Sequence, residues 1–62
     1  MDEDKILMML KRLNRTFGAI HSMLLALYLE MSDRTVRWWL RKLEEAGKVV
    51  RPYGKHRGWR VL

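Results

Sequence analysis

Apolar residues recur at helical spacing in the first part of the chain. Each of these residues has another three or four positions away: Ile6, Met9, Leu10, Leu13 and, as a further candidate, Phe17. The acidic run 2–4 suits a helix start, because negative charge there faces the positive end of the helix dipole. We therefore predict a first helix over about residues 2–15, stopped near Gly18, with Met8 on its opposite face.

A second apolar stretch differs from the first because it has no polar face. Residues 23–29 read MLLALYL, and Ser22 before them is a candidate helix cap. A helix that is apolar all round is either deeply buried or covers a partner, and full burial is hard to reach in so short a chain. We predict a second helix over about residues 22–29, preceded by a small strand or a linker at Ala19-Ile20.

The third periodic segment has both an apolar stripe and a basic side. Ser32 suits the N-cap, Gly47 suits the stop, and the helix is predicted over about residues 33–46. The apolar stripe consists of Val36, Leu40 and Leu43, with Trp39 beside it. The opposite side carries Arg34, Arg37, Trp38 and Arg41.

The last stretch changes from helical to strand character. Val49-Val50 favours a strand, Pro52 and Gly54 interrupt it, and the residues after Gly58 alternate between apolar and polar. We predict a β-hairpin with strands near 48–53 and 58–62, in which Trp59 and Val61 close the core. The fold class is therefore α+β: a three-helix bundle with a C-terminal hairpin, in a single domain over residues 1–62.

Charge is distributed unevenly between the two halves of the chain. Residues 1–31 carry four basic and four acidic groups, whereas residues 32–62 carry nine basic and three acidic groups, so the whole net charge of +6 lies in the second half. Such an asymmetry indicates one basic face and a polyanionic partner. Nucleic acid fits better than a membrane surface, because the cations run through a helix and then a glycine-interrupted segment.

Other classes of function have little support. The chain has no cysteine, and His21 and His56 do not form a recognisable metal spacing, so neither a metal nor another cofactor is expected. No phosphate-binding loop, paired carboxylates or nucleophile–base spacing indicates an enzyme or a small-molecule site. The apolar run 23–29 is too short to span a bilayer, and the acidic start does not resemble a signal peptide. A cytoplasmic protein is the expectation.

The segment LYLEMSDRTVRWWLRKLEEAGKVVR, residues 27–51, resembles the winged helix-turn-helix DNA-binding family. Its pattern is an apolar second helix, a short turn, a serine cap, Thr-Val, Leu-x-x-Leu-Glu-x-x-Gly and a valine-rich strand. The matching residues are Ser32, Thr35, Val36, Leu40, Leu43, Glu44, Gly47 and Val49. With looser matching at both ends, the resemblance covers most of the chain. It implies a recognition helix in the major groove and a hairpin, the wing, on the minor groove or the adjacent backbone.

Physical chemistry supports double-stranded DNA as the partner. The major groove admits one α-helix, and an arginine bidentate to guanine contributes roughly 1–3 kcal/mol of discrimination. Arg34 and Arg37 are the first candidates for base contacts, whereas Arg41 and Arg51 are more suited to phosphate; intrahelical pairing of Arg41 with Glu44 or Glu45 is the alternative. The candidate contacts on the recognition helix are Asp33, Arg34, Thr35, Arg37, Trp38 and Arg41. Those on the wing are Arg51, Lys55, His56 and Arg57.

Trp38 and Trp39 point about 100° apart on a helix, so they cannot share one role. We predict that Trp39 packs inward. Trp38 faces the arginine side, where it either contacts DNA or lies over Arg34 or Arg41 as a cation–π partner.

Apolar residues outside the predicted core indicate a second surface. Met8, Leu24, Leu27 and Tyr28 are the candidate residues for a homodimer or partner-protein contact. The leading prediction is a sequence-specific transcriptional regulator. It is either a minimal protein of a compact viral, plasmid or archaeal genome or a domain of a longer chain. The alternatives are a winged-helix protein-interaction module and a replication-origin or DNA-end binder.

Overall fold

The computed structural model describes residues 1–62 and contains three helices followed by a two-stranded antiparallel sheet. The elements are α1 (Asp2–Phe17), α2 (Ser22–Leu29), α3 (Asp33–Glu45), β1 (Val49–Val50) and β2 (Arg60–Val61). Val49 pairs with Val61 and Val50 with Arg60. This architecture confirms the predicted winged helix-turn-helix fold. None of the three helices has both the length and the hydropathy needed to cross a membrane.

One hydrophobic core joins all five elements. Its twelve buried residues are Ile6, Leu10, Leu13, Ile20, Leu25, Ala26, Leu29, Val36, Leu40, Leu43, Val49 and Trp59. The predicted stripes of α1 and α3 therefore face inward, while Met9, Trp39 and Val61 pack at the edge of the core. Phe17 does not join it and is 60% exposed, which contradicts its candidacy as a core residue.

The end of α1 differs from the predicted end by two residues. The helix continues to Phe17 and stops at Gly18, whose φ of 81° is unfavourable for other residues and whose N–H donates to the Asn14 carbonyl at 2.9 Å. Asn14 is therefore inside the helix, and its buried side chain bonds to three backbone groups. Its Nδ2 donates to the carbonyls of Gly18 (2.7 Å) and Trp59 (3.0 Å), and its Oδ1 accepts from the Val61 N–H (2.9 Å).

The turn between α2 and α3 positions the recognition helix. Ser32 caps α3, since its hydroxyl accepts from the Thr35 N–H at 3.1 Å, as predicted. The cap predicted at Ser22 is wrong: His21 occupies the N-cap of α2, and Ser22 is the first helical residue. The Ser22 hydroxyl instead donates to an Asp33 carboxylate oxygen at 2.7 Å. Glu30 ends α2 in the left-handed conformation, with φ 56°.

The wing has much shorter strands than predicted. Between β1 and β2 the chain makes turns, because Pro52 has no N–H to donate and Gly54 has φ 110°. Ile20 forms an isolated antiparallel bridge with Trp59. Its N–H donates to the Trp59 carbonyl at 3.0 Å, and the Trp59 N–H donates to the Ile20 carbonyl at 2.8 Å. The short apolar segment after α1 thus contributes a bridge to the sheet.

Candidate nucleic-acid interface

The outer face of α3 forms an open groove bordered by charged and aromatic side chains. Its six lining residues are Asp33, Arg34, Thr35, Arg37, Trp38 and Arg41. These are the six residues of α3 predicted from the sequence to contact DNA. All are exposed except Asp33, which is partly buried. The helical period explains the grouping, because this face lies opposite the buried stripe of Val36, Leu40 and Leu43.

The three arginines in this groove have different surroundings. Arg37 Nε lies 3.1 Å from Asp33 Oδ2, and its side chain is 64% exposed. Neither Arg34 nor Arg41 forms a salt bridge, so the pairing of Arg41 with Glu44 or Glu45 expected as an alternative is absent. Two exposed guanidinium groups are therefore unpaired on the face that a polyanion would meet.

The two adjacent tryptophans take different positions. Trp39 is half-buried at the edge of the core, whereas Trp38 is 53% exposed in the groove. Their rings meet edge to face, with centroids 5.0 Å apart and planes at 86°. The cation over the Trp38 ring is Lys42, at 5.5 Å, and not Arg34 or Arg41 as the cation–π alternative expected. The ring still presents much of its surface to solvent.

A second groove lies between α3, the start of α2 and the wing. Its basic side chains are Arg37, Arg41, Arg51 and Lys55, with His21 and His56 also on its walls. The fold thus brings three of the four predicted wing contacts next to two predicted α3 contacts. Arg57 is exposed but does not border this groove. Ser22 was not among the predicted contacts, because its place beside α3 depends on how the helices pack.

Arg51 is held within the protein. Its Nε and Nη2 donate to the two carboxylate oxygens of Glu44 at 3.0 and 2.9 Å, and its guanidinium lies 4.6 Å from the centroid of the Trp59 ring. Its side chain is only 24% exposed. Such a bidentate pair, stacked on an aromatic ring, fixes the first residue after β1 against the end of α3.

The predicted partner-binding residues are all exposed, but they do not all meet. Leu24 and Leu27 line one shallow groove together with Met23, and Tyr28 is 51% exposed on the same helix. Met8 is 67% exposed on the side of α1 opposite Ile6 and Leu10 and does not border that groove. Met8 is therefore not among the residues that line the apolar groove on α2.

Comparison with known proteins gives one family. A family model described as a DeoR-like helix-turn-helix domain matches residues 3–57. Neither the curated proteins nor the solved structures gave a significant match. The matched range contains α1 except for Asp2, all of α2, α3 and β1, and the turns of the wing, and it includes every predicted DNA contact. With this match and the winged architecture, the chain belongs to the DeoR-like helix-turn-helix domain family, a family of DNA-binding domains.

Proposed function

We propose that the protein binds duplex DNA sequence-specifically as a transcriptional regulator, with α3 in the major groove. The observation that carries this proposal is the groove on α3, which collects three arginines, a threonine and an exposed tryptophan on the face opposite the core. Guanidinium groups recognise guanine edges, and threonine and aromatic side chains contact thymine methyl groups or the backbone. Arg34 and Arg37, near the helix N-terminus, read bases, and Arg41 binds phosphate.

The wing supplies further backbone contacts in this proposal. Lys55 and His56 border the second groove beside Arg37 and Arg41, and Arg57 extends the exposed cationic tip. Arg51 mainly holds the wing in place, since its guanidinium already bonds to Glu44. A regulator that acts on chromosomal DNA works inside the cell, and the interface as described needs no cofactor.

Binding to DNA across a range of salt concentrations tests the proposal. Engagement of ~5 phosphates gives a slope of about −4.5 in a plot of log affinity against log salt. The probes are a random-sequence duplex and a duplex selected by the protein from a random pool. No binding to either duplex at low salt would overturn the proposal and favour a protein-interaction module.

Arg37→Ala separates base readout from phosphate contact. If Arg37 reads a base, the variant loses its preference for the selected duplex while its affinity for the random duplex changes little. A uniform loss on both duplexes would make Arg37 a phosphate contact. Arg15→Ala is the matched control, because Arg15 is an exposed arginine of α1 outside both grooves; it should leave the preference unchanged.

The apolar surface of α2 favours a second role in self-association. Met23, Leu24, Leu27 and Tyr28 are all exposed on one short helix, and such a surface on a small protein usually meets a partner. We propose that a second copy of the chain covers it. A dimer of this kind would bind a pseudo-palindrome with half-sites about one helical turn apart. Sedimentation over a concentration series tests the association.

A further inference from the structure

Asp33 connects the recognition helix to α2 and to Arg37 at the same time. Its Oδ1 accepts a hydrogen bond from the Ser22 hydroxyl at 2.7 Å. Its Oδ2 lies 3.1 Å from Arg37 Nε. Both carboxylate oxygens are therefore engaged within the protein, and the Asp33 side chain is only 32% exposed.

This arrangement does not suit a direct contact between Asp33 and DNA. An ionised carboxylate only accepts hydrogen bonds, and it is repelled by phosphate. Of the two oxygens that a cytosine amino group would need, Oδ1 already accepts from Ser22 and Oδ2 is ion-paired with Arg37. The place of Asp33 in the groove of α3 thus requires an explanation other than base contact.

The geometry instead places the Asp33 carboxylate against the Nε side of the Arg37 guanidinium. An arginine has five N–H groups, and the ion pair with Asp33 lies at Nε, which leaves the four N–H groups on Nη1 and Nη2 outside this contact. Those two nitrogens form the end of the fork that can bond to two acceptors on one guanine. A free arginine loses side-chain entropy when it binds, and a guanidinium held in advance loses less.

The hydrogen bond from Ser22 holds the Asp33 carboxylate in place. It belongs to the first turn of α2, eleven residues before Asp33, so its hydrogen bond spans the turn between the two helices. The orientation of Arg37 is therefore set by two helices and not by α3 alone. We propose that Asp33 is a positioning residue that aims Arg37 at a base, with Ser22 as its anchor; this inference rests on the proposed DNA-binding function.

The test compares affinities for two probes in a set of variants. The probes are the duplex selected by the wild-type protein and a random-sequence duplex, and the quantity measured is the ratio of the two affinities. Asp33→Ala should lower this ratio about tenfold, because the loss of its ion-pair partner weakens the contact that Arg37 makes. Affinity for the random duplex should stay equal or rise, since a negative charge near the phosphates is removed.

A double-mutant cycle separates positioning from a general structural role. In the Arg37→Ala background, Asp33→Ala should change the ratio by less than about twofold, because there is no arginine left to position. Asp33→Asn retains hydrogen-bonding groups and should restore part of the ratio. Ser22→Ala should lower the ratio about threefold, and both of these variants remain informative if Asp33→Ala does not fold.

Two outcomes would overturn the inference, and they can be told apart. If the wild-type protein selects a duplex but folded Asp33→Ala keeps the full affinity ratio, Asp33 does not position Arg37. An equal loss of ratio in the presence and absence of Arg37 would have the same meaning. If the wild-type protein binds neither probe, the proposed function itself fails, and the role of Asp33 fails with it.

Discussion

At the scale of single residues, the tryptophan pair shows that two adjacent positions of one helix have different surroundings. Trp39 packs at the edge of the core, and Trp38 lies in the groove with more than half of its surface exposed. The sequence predicts this division, because neighbouring residues on a helix point about 100° apart. It does not predict the edge-to-face contact between the rings or the position of Lys42 over Trp38.

Alanine substitution should mainly lower stability at Trp39 and mainly weaken DNA binding at Trp38. Trp39→Ala should lower the free energy of unfolding by about 3 kcal/mol, because a large side chain leaves the core edge. Trp38→Ala should lower it by only about 1 kcal/mol, through loss of the ring contact and the cation over it, and should weaken DNA binding. Urea unfolding and duplex titration measure the two effects. Exchanged phenotypes would place the DNA-binding face one residue further around α3.

Asn14 shows what the sequence does not reveal at this scale. A polar residue near the end of an amphipathic helix is usually exposed, and the predicted helix ended just after it. In the structure its amide is buried and bonds to backbone groups of Gly18, Trp59 and Val61. Two of these partners lie more than forty residues away in sequence, and no local pattern indicates them.

At the scale of secondary-structure elements, α3 was predictable and the wing was only partly so. A cap at Ser32, an apolar stripe and the glycine after the helix are local signals that agree with one another. The strands of the wing are only two residues long, so the alternation after Gly58 predicts a strand but not its bounds. Their position is set instead by the bridge between Ile20 and Trp59, which depends on the packing of the whole chain.

The glycines of the wing allow this bridge to be tested. Gly58 has φ 95°, and a Cβ there would lie 3.0 Å from the Ile20 nitrogen, in the bridge itself. Gly58→Ala should therefore lower the free energy of unfolding by about 3 kcal/mol, from backbone strain together with separation of the two strands. Thermal unfolding measures this.

Gly54→Ala is the matched control for this prediction. Gly54 also has a positive φ, of 110°, but a Cβ there would meet nothing within 4 Å. The control should cost only the backbone strain, about 1 kcal/mol. Equal losses in the two variants would mean that the close approach of Gly58 to Ile20 contributes little to stability.

At the scale of the whole molecule, the basic grooves and the apolar surface of α2 are adjacent but differ in composition, and Arg37 borders both. The basic grooves are formed by α3, the start of α2 and the wing, whereas Leu27 and Tyr28 are exposed along α2. The sequence predicts this division from the charge difference between its halves. It does not predict that Met8 lies away from the apolar groove of α2, because that depends on how α1 packs.

Self-association should therefore depend on α2 and not on Met8. We expect the protein to sediment as a dimer in the micromolar range, and Leu27→Glu should make it monomeric by placing a charge on the apolar surface. Met8→Glu introduces the same charge at a site that is equally exposed and should leave the dimer intact. A protein that remains monomeric at high micromolar concentration would contradict self-association.

The hydrogen bonds of Asn14 have a consequence for the order of events during synthesis. The last turn of α1 is made early by the ribosome, but until Trp59 and Val61 have left the exit tunnel the Asn14 amide has only the Gly18 carbonyl as a partner and lacks two of its three hydrogen bonds. An unsatisfied buried amide is costly, so α1 cannot take its final place while these residues are missing. We therefore expect a stalled nascent chain that exposes residues only to Gly58 to stay protease-sensitive and to become resistant once β2 emerges. Protection before that point would show that α1 docks without them.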